Sequence, residues 1–343
     1  MPELRRDPII NRWVIVARER AKRPLDFPHA PDPPRSGFCP FCPGHEEKTP
    51  KEILACPALD PGATPADWIL RVVPNKFPAL VQEGVLHQEW QGLYEKMTGL
   101  GTHEVLIETP VHDQTFAEYS SRHVEKILWA CRERIYRLSQ EPDFQYILIF
   151  KNHGVEAGAS LDHPHSQIIA LPIVPQLVSE EMNGALGYFD TNGRCVYCDM
   201  IRQEMEDPTR IVLVNEKFLA LEPYASRFPF ETWILPLRHD PHFVNLQDEH
   251  LLPLAAILRD TLWRIKQLLQ DPPYNFMLHT SPCREASASL PHFHWHLEIT
   301  PKLTRVAGFE WGTGFYINPM PPELAAAYLR DCGKDQPGPG WVH

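Results

Sequence analysis

Two Cys-x-x-Cys pairs and two histidine clusters contain the residues of this sequence that are best suited to chemistry. The pairs are Cys39/Cys42 and Cys195/Cys198, and the clusters are DHPHSQ (162–167) and PHFHWH (291–296). Two thiolates from one turn provide half of a tetrahedral zinc site, and the other two ligands must come from elsewhere in the chain. Exposed thiols and a redox motif are the alternatives, and neither would require histidines. Because histidine clusters accompany both cysteine pairs, two metal sites are favoured.

The stretch 163–167, His-Pro-His-Ser-Gln, is the most informative of these motifs. In an extended strand, residues two apart share a face, so His163, His165 and Gln167 line one surface. If His163 binds a metal, His165 stands free beside an anchored backbone, which suits a nucleophile or a general base. The preceding Gly-Ala-Ser (158–160) offers backbone N–H groups and the Ser160 hydroxyl to a phosphate.

Each cysteine pair opens the same series of segments. The order is Cys-x-x-Cys, a strand, a strand ending in His-Asp, a helix, another strand and a strand containing His-x-His. The corresponding segments are 71–80 and 211–221, 103–113 and 230–240, 144–150 and 274–280, and 158–172 and 287–301. Six landmarks in the same order predict a duplicated unit.

The pattern predicts an α+β fold made of two histidine-triad-like halves, each a mostly antiparallel sheet with one long helix. We expect the halves to span 1–178 and 190–343, with the boundary in the Glu- and Asn-rich segment 176–194. Apolar residues recur at helical spacing in each half. They are Val124, Ile127, Leu128, Cys131, Ile135 and Leu138 in the first, and Leu251, Leu254, Ala255, Leu258, Leu262 and Ile265 in the second.

The repeat also indicates which histidines complete the metal sites. The first set is Cys39, Cys42, His112 and His163, and the second is Cys195, Cys198, His239 and either His292 or His294. His45, just after the first pair, is a weaker alternative ligand. Because each set joins distant segments, both sites are expected to be structural.

Composition excludes several classes of protein. The 343 residues carry a net charge of −11 and contain no run of five basic residues, so a nucleic-acid partner is disfavoured. No apolar stretch approaches the ~18 residues of a membrane span. The N-terminus lacks the apolar core of a secretory signal, which predicts a soluble, cytoplasmic protein without a membrane partner.

Around HPHSQ the sequence resembles the galactose-1-phosphate uridylyltransferase family, the transferase branch of the histidine-triad superfamily. The resemblance covers nearly the whole chain. It rests on HPHSQ preceded by Gly-x-Ser, and on RERAKRP (18–24), CPFC (39–42), NKF (75–77), TPVHD (109–113), FKNHGVEAGASLDHPHSQ (150–167) and PFETWILPLRH (229–239).

This resemblance implies that His165 attacks the α-phosphorus of a nucleotide sugar and forms a covalent nucleotidyl-histidine. It implies that Gln167 and Ser160 hold the α-phosphoryl oxygens, and it matches the first metal set to the family's zinc site. The implied substrate-binding residues are Arg20 and Arg23 at the nucleotide phosphates, Asn75 and Asn152 at the nucleotide and phosphate, and Glu310 at the sugar.

The family's second metal site uses a glutamate and histidines, and Glu180 and Glu181 lie near that glutamate's place. Because this chain has a second Cys-x-x-Cys pair, we instead predict Cys195, Cys198, His239 and His294. One or two zinc ions per chain are expected. The second site takes zinc or iron, and its thiolates favour zinc.

The resulting prediction is a nucleotidyltransferase that moves UMP between UDP-glucose and galactose 1-phosphate by a ping-pong route. The double Cys-x-x-Cys and the tail GFEWGTGFYINP (308–319) resemble the ADP-glucose phosphorylase branch, whose acceptor is inorganic phosphate. That reaction is the main alternative, and nucleotide hydrolysis is a further one. The resemblance also suggests a homodimer.

Overall fold

A single ten-stranded antiparallel sheet forms the centre of the protein. The computed structural model describes residues 1–20, 23–24, 27, 37–58, 66–283 and 290–332. From one edge to the other, the strands are β10 (Ile211–Val214), β11 (Phe218–Leu221), β12 (Thr232–Pro236), β14 (His296–Pro301), β13 (Tyr274–His279), β8 (Tyr146–His153), β9 (His165–Leu171), β7 (Thr102–Ile107), β4 (Trp68–Pro74) and β3 (Leu54–Pro57).

Each half of the sequence contributes five adjacent strands to this sheet, in mirror-image order. The two sets meet where β8 pairs with β13, and Tyr274 lies opposite His153 in that register. The sequence predicts two half-sheets. The structure joins them into one because β8 and β13, the central pair, bond to each other along five residue pairs. The α+β class and the antiparallel pairing are confirmed.

Two long helices cover one face of the sheet. They are α1 (Ser121–Ser139) and α4 (Asp248–Leu269), which pack against each other as well as against the strands. The Ser120 side chain caps α1 by accepting the His123 N–H, which satisfies a free donor of the first turn. All twelve apolar residues predicted at helical spacing are buried, so both helices are confirmed.

The strands alternate between this helix-covered face and the opposite face. Along β9, Ser166, Ile168 and Ala170 are buried towards the helices, within or beside the main apolar core. His165 and Gln167 therefore face the other side of the sheet. This alternation is what places the chemistry-bearing side chains on one surface.

Several elements were not anticipated from the repeat. The segment 176–194, predicted as the boundary, is largely helical. A small sheet connects the N-terminal and C-terminal segments of the described chain, because β15 pairs with β2 in parallel. The additional elements are β1 (Glu3–Arg6), β2 (Trp13–Val16), β15 (Tyr316–Asn318), the hairpin β5 (Gln88–Gln91) and β6 (Tyr94–Met97), and the helices α2 (Gln176–Asn192), α3 (Val196–Glu206), α5 (Gly308–Thr313) and α6 (Pro322–Cys332). Within the described chain, no helix has the length and apolar character that crossing a bilayer requires.

Candidate active site and metal centres

The first four residues predicted as metal ligands lie together at the start of β9. Their ligand atoms are all within 4.8 Å of one another. Cys42 Sγ is 3.2 Å from His112 Nδ1, and His163 Nδ1 is 3.6 Å from the Sγ atoms of both Cys39 and Cys42. Tetrahedral zinc with ordinary bond lengths separates a sulfur and a nitrogen ligand by about 3.5 Å. The cluster therefore has the dimensions of a zinc site.

The second cluster repeats this geometry in the other half of the chain. It contains Cys195, Cys198, His239 and His294, and Cys198 Sγ lies 3.5 and 3.7 Å from the Nδ1 atoms of the two histidines. His292 is outside the cluster, where its carbonyl oxygen lies 3.4 Å from Cys195 Sγ. His45 is likewise outside the first cluster, with Nδ1 2.7 Å from the Cys39 carbonyl oxygen.

Backbone carbonyls orient three of the four cluster histidines. The Nε2–H of His163 donates to Thr109 O at 2.8 Å, that of His294 to Pro236 O at 2.9 Å, and that of His239 to Leu290 O at 3.1 Å. A neutral imidazole with its proton on Nε2 presents the Nδ1 lone pair, here towards the sulfur atoms. Two cysteine sulfurs and two histidine ring nitrogens are a donor set that suits zinc, and all eight cysteines are free thiols.

His165 stands next to the first cluster with its ring fixed. Its Nδ1 lies 2.8 Å from the carbonyl oxygen of His163 and donates to it, so the lone pair is on Nε2. Burial is the main influence on the pKa of His165 and lowers it, which favours the neutral, nucleophilic form near pH 7. The ring of Phe41 packs edge-on against it at 5.6 Å.

A buried ion pair lies beneath this strand, on the helix-covered face. Lys151 Nζ donates to both carboxylate oxygens of Glu108 at 2.9 and 2.8 Å, and to the carbonyl oxygen of His165 at 3.2 Å. The Ser166 hydroxyl donates to the same carboxylate at 2.6 Å. Glu108 and Lys151 are 0% and 2% exposed, so the pair anchors the backbone of His165 from the helix-covered side of the sheet.

Residues near the predicted phosphate site lie on the loop between β8 and β9. Gly154 and Gly158 both have positive φ, at 82° and 92°, and shape the turn that leads to the exposed Ser160. The Oδ1 of Asn152 accepts from Asn275 Nδ2 at 2.8 Å, across the β8–β13 junction. In the first half, Asn75 Oδ1 accepts the backbone N–H of Phe77 at 2.9 Å.

The remaining predicted substrate residues are Arg20, Arg23 and Glu310. Arg20 is an exposed residue at the end of the short turn Arg18–Arg20, and Arg23 is also exposed, while residues 21–22 lie outside the described residues. Glu310 Oε2 accepts the backbone N–H of Ala307 at 3.0 Å. Its carboxylate is therefore used at the start of α5.

The second half carries a counterpart of His165 in a different environment. His296 Nδ1 lies 3.1 Å from the carbonyl oxygen of His294, which repeats the relation between His165 and His163. The ring of His296, however, is 1% exposed and stacks between His279 at 4.7 Å and Trp233 at 5.0 Å. Side chains therefore cover the ring of His296.

A charged cluster surrounds His296. The repeat does not predict this cluster, although its member Glu181 lies near the place of the family's glutamate ligand. Glu181 Oε2 is 3.1 Å from His279 Nδ1, and Arg227 donates to Glu298 at 2.6 Å. Burial opposes protonation of His279, but the two carboxylates outweigh it and raise its pKa to about 9. Glu181, His279, His296 and Glu298 offer ligand atoms within 4.8 Å of one another, and His279 lies within ion-pair distance of both carboxylates.

Comparisons with known proteins identify the family of this chain. Family models match residues 1–175 as the N-terminal domain and residues 181–315 as the C-terminal domain of galactose-1-phosphate uridyl transferase. An ADP-glucose phosphorylase of Arabidopsis thaliana is 41% identical over 96% of this chain and 93% of that protein. A galactose-1-phosphate uridylyltransferase of Thermotoga maritima is 31% identical over 96% of this chain and 98% of that protein.

The chain is also similar to solved structures of these two kinds of enzyme. A crystal structure of an Arabidopsis thaliana ADP-glucose phosphorylase with bound ADP-glucose has a TM-score of 0.81 and 38% identity, and covers 96% of this chain and 99% of that chain. A uridylyltransferase structure has a TM-score of 0.74 and 28% identity, with coverage of 98% and 99%. The chain therefore belongs to the galactose-1-phosphate uridylyltransferase family.

Proposed function

We propose that the protein is a nucleotidyltransferase that works through a covalent nucleotidyl group on His165. The observation that carries this proposal is the hydrogen bond from Nδ1–H to the His163 carbonyl. It fixes the tautomer and leaves the Nε2 lone pair as the nucleophile. The adjacent Cys39/Cys42 cluster and the Lys151–Glu108 pair hold the backbone on both sides of this histidine.

In the first step, Nε2 of His165 forms a bond to the α-phosphorus of a nucleotide sugar. The bond from that phosphorus to the bridging oxygen breaks, and sugar 1-phosphate leaves with the electron pair. In the second step, a phosphate oxygen of the acceptor attacks the same phosphorus, and the N–P bond breaks to regenerate neutral His165. Such transfer depends mainly on positioning and on stabilising charge at the phosphoryl oxygens.

The side chain of Gln167 suits transfer better than hydrolysis. It lies two residues from His165 on the same face of β9, where an amide donates a hydrogen bond to a phosphoryl oxygen without titrating. A water nucleophile needs a base to remove its proton, whereas phosphate and sugar phosphates attack without one. We therefore propose that the intermediate waits for a phosphate-bearing acceptor. Ser160, Asn75, Asn152, Arg20 and Arg23 are proposed to bind the donor, and Glu310 to contact its sugar.

Two donor and acceptor pairs fit this chemistry. Transfer of AMP from ADP-glucose to inorganic phosphate, giving ADP, is supported by the 41% identity to the Arabidopsis phosphorylase over nearly the whole chain. Transfer of UMP from UDP-glucose to galactose 1-phosphate, giving UDP-galactose, is supported by the 31% identity to the Thermotoga enzyme. We favour the first, which reverses the order that the sequence motifs suggested.

The two cysteine–histidine clusters are proposed to bind one zinc ion each, by Cys39, Cys42, His112 and His163 and by Cys195, Cys198, His239 and His294. Bound zinc would supply structural cross-links between distant segments. The first of these would hold the strand that begins at His165. The chemical steps themselves use the side chains of the chain.

Isotope exchange tests the proposal directly. The protein is incubated with ADP-glucose and labelled glucose 1-phosphate, without any acceptor, and separately with UDP-glucose. A covalent intermediate predicts that label enters the nucleotide sugar. His165→Asn should abolish this exchange, while His153→Asn, a change at a half-buried histidine at the end of β8, should retain it. Absence of exchange with both donors would contradict the proposal.

A further inference from the structure

Gln167 is held by a histidine that the sequence motifs did not indicate. His103 lies on β7, opposite Ile169 of β9, and its Nε2 is 2.8 Å from Gln167 Oε1. An amide side chain has one end that accepts and one that donates. Which end faces the substrate therefore depends on what His103 offers to Gln167.

The backbone of a neighbouring loop determines which ring nitrogen of neutral His103 carries the proton. The N–H of Ala79 lies 3.3 Å from His103 Nδ1, and a backbone N–H can only donate. Nδ1 must therefore carry a lone pair, which places the proton of the neutral ring on Nε2. That proton is donated to Gln167 Oε1, so the Nε2 amino group of Gln167 is left to face outward.

Asn75 makes a further contact with the same ring. Its Nδ2 is 3.1 Å from Nε2 and 3.4 Å from Nδ1 of His103. A group in the ring plane at similar distances from both nitrogens would overlap the ring carbons, so Asn75 Nδ2 lies over the imidazole face. The backbone N–H of Asn75 also donates to the His103 carbonyl at 2.8 Å. Three contacts thus join His103 to the loop 75–79.

We propose that His103 is a positioning residue for nucleotidyl transfer, acting through Gln167. It fixes the carboxamide so that Nε2 of Gln167 donates to the α-phosphoryl oxygen, and it connects that amide to the loop that carries Asn75. This inference rests on the proposed function and adds a residue to it. Without the Nε2–H of His103, the amide of Gln167 can turn and present its oxygen, which would repel the phosphoryl group.

A double-mutant cycle tests whether His103 acts through Gln167. The single-turnover rate of His165 nucleotidylation is measured for the wild type, His103→Phe, Gln167→Ala and the double variant. His103→Phe keeps a planar ring but removes the donor, and should lower the rate about tenfold, the effect of losing one hydrogen bond in the transition state. In the Gln167→Ala background the same change should alter the rate less than twofold.

His103→Gln provides the matched control, because its Nε2 amino group retains a donor where the imidazole Nε2 was. It should recover most of the lost rate, and thermal melting of each variant checks that the fold is intact. Equal effects of His103→Phe in both backgrounds, or no recovery by His103→Gln, would overturn the inference. If the wild type is nucleotidylated but the effects of the two substitutions are additive, the positioning role of His103 is refuted and the proposed function is not. A wild type that forms no adduct refutes the proposed function.

Discussion

Replacing Lys151 tests how strongly the buried Lys151–Glu108 ion pair stabilises β9, the strand that begins at His165. Lys151 and Glu108 are essentially inaccessible to solvent, and each keeps some polar contact when the other is removed. In Lys151→Met, the Glu108 carboxylate retains the Ser166 hydroxyl at 2.6 Å and the Tyr119 hydroxyl at 3.4 Å. In Glu108→Leu, the Lys151 ammonium retains the His165 carbonyl at 3.2 Å.

These contacts set the expected magnitudes. Removing one partner of a buried ion pair costs about 3–5 kcal/mol because the other charge remains uncompensated. We expect Lys151→Met to lie near ~3 kcal/mol, since two hydroxyls still donate to the carboxylate, and Glu108→Leu near ~5 kcal/mol, since one carbonyl remains for the ammonium. The double variant leaves neither of these two charges buried and should cost about 2 kcal/mol, about 1 kcal/mol for each of the two hydroxyls that lose their acceptor.

Urea-induced unfolding at pH 7.5 and a fixed zinc concentration, followed by tryptophan fluorescence, measures these free energies. The expected order of destabilisation is Glu108→Leu, then Lys151→Met, then the double variant. Single variants that cost less than ~1 kcal/mol would place the pair in the range of solvent-screened surface ion pairs. A double variant that cost as much as the two single variants together would show that the residues act independently, and either result would refute the reasoning.

Three further predictions follow from the metal clusters, the charged cluster and the helical core. Cys42→Ser should lower bound zinc from two ions per chain to one by elemental analysis, whereas Cys56→Ser, outside both clusters, should leave it unchanged. His279 has a folded pKa raised to about 9, so its stabilising charge is fully present below its ordinary pKa of about 6.5 and is lost as the pH rises to about 9. The free energy of unfolding should therefore fall less between pH 6.5 and 9 in His279→Gln than in the wild type. Leu254→Ala, at a 0% exposed position of α4, should cost about 2–5 kcal/mol in urea unfolding, whereas the exposed Leu177→Ala should cost less than ~0.5 kcal/mol.

Each of these has a contrary outcome. Unchanged zinc in Cys42→Ser would show that the first cluster does not bind the ion. A parallel decline of His279→Gln and the wild type with pH would show that His279 is not charged in the folded protein. Equal destabilisation by the two leucine changes would contradict the placement of α4 in the core.

The repeat was sufficient to predict the elements that carry the chemistry. Helical spacing located α1 and α4, and the positions of the cysteine pairs led to the histidines that the structure places beside them. The choice between His292 and His294 could not be made in this way. Residues 292, 294 and 296 are two positions apart and would share one face of an extended strand. Which of them reaches the cluster depends on where β14 begins and how it pairs with β12.

The residues that sequence reasoning missed depend on pairing between strands. His103 meets Gln167 because β7 lies beside β9, and the two residues are 64 positions apart. Glu108, the residue after β7, and Lys151, on β8, come from strands on either side of β9 and meet on one face of the sheet. A histidine in an alternating strand or a lysine in an apolar strand has no local signal that identifies its partner. The sequence indicates only that a Lys and a Glu lie in otherwise buried segments, where each charge needs a partner.

The chemical identity of His165 after exposure to a nucleotide sugar tests the central claim most directly. The protein is mixed with ADP-glucose or UDP-glucose without acceptor, quenched at alkaline pH and digested, and the peptide that contains His165 is examined by mass spectrometry. The account predicts one nucleotidyl group per chain on His165, removed on addition of inorganic phosphate or galactose 1-phosphate and absent in His165→Asn. An unmodified His165 with both donors, or a nucleotidyl group on another residue, would contradict it.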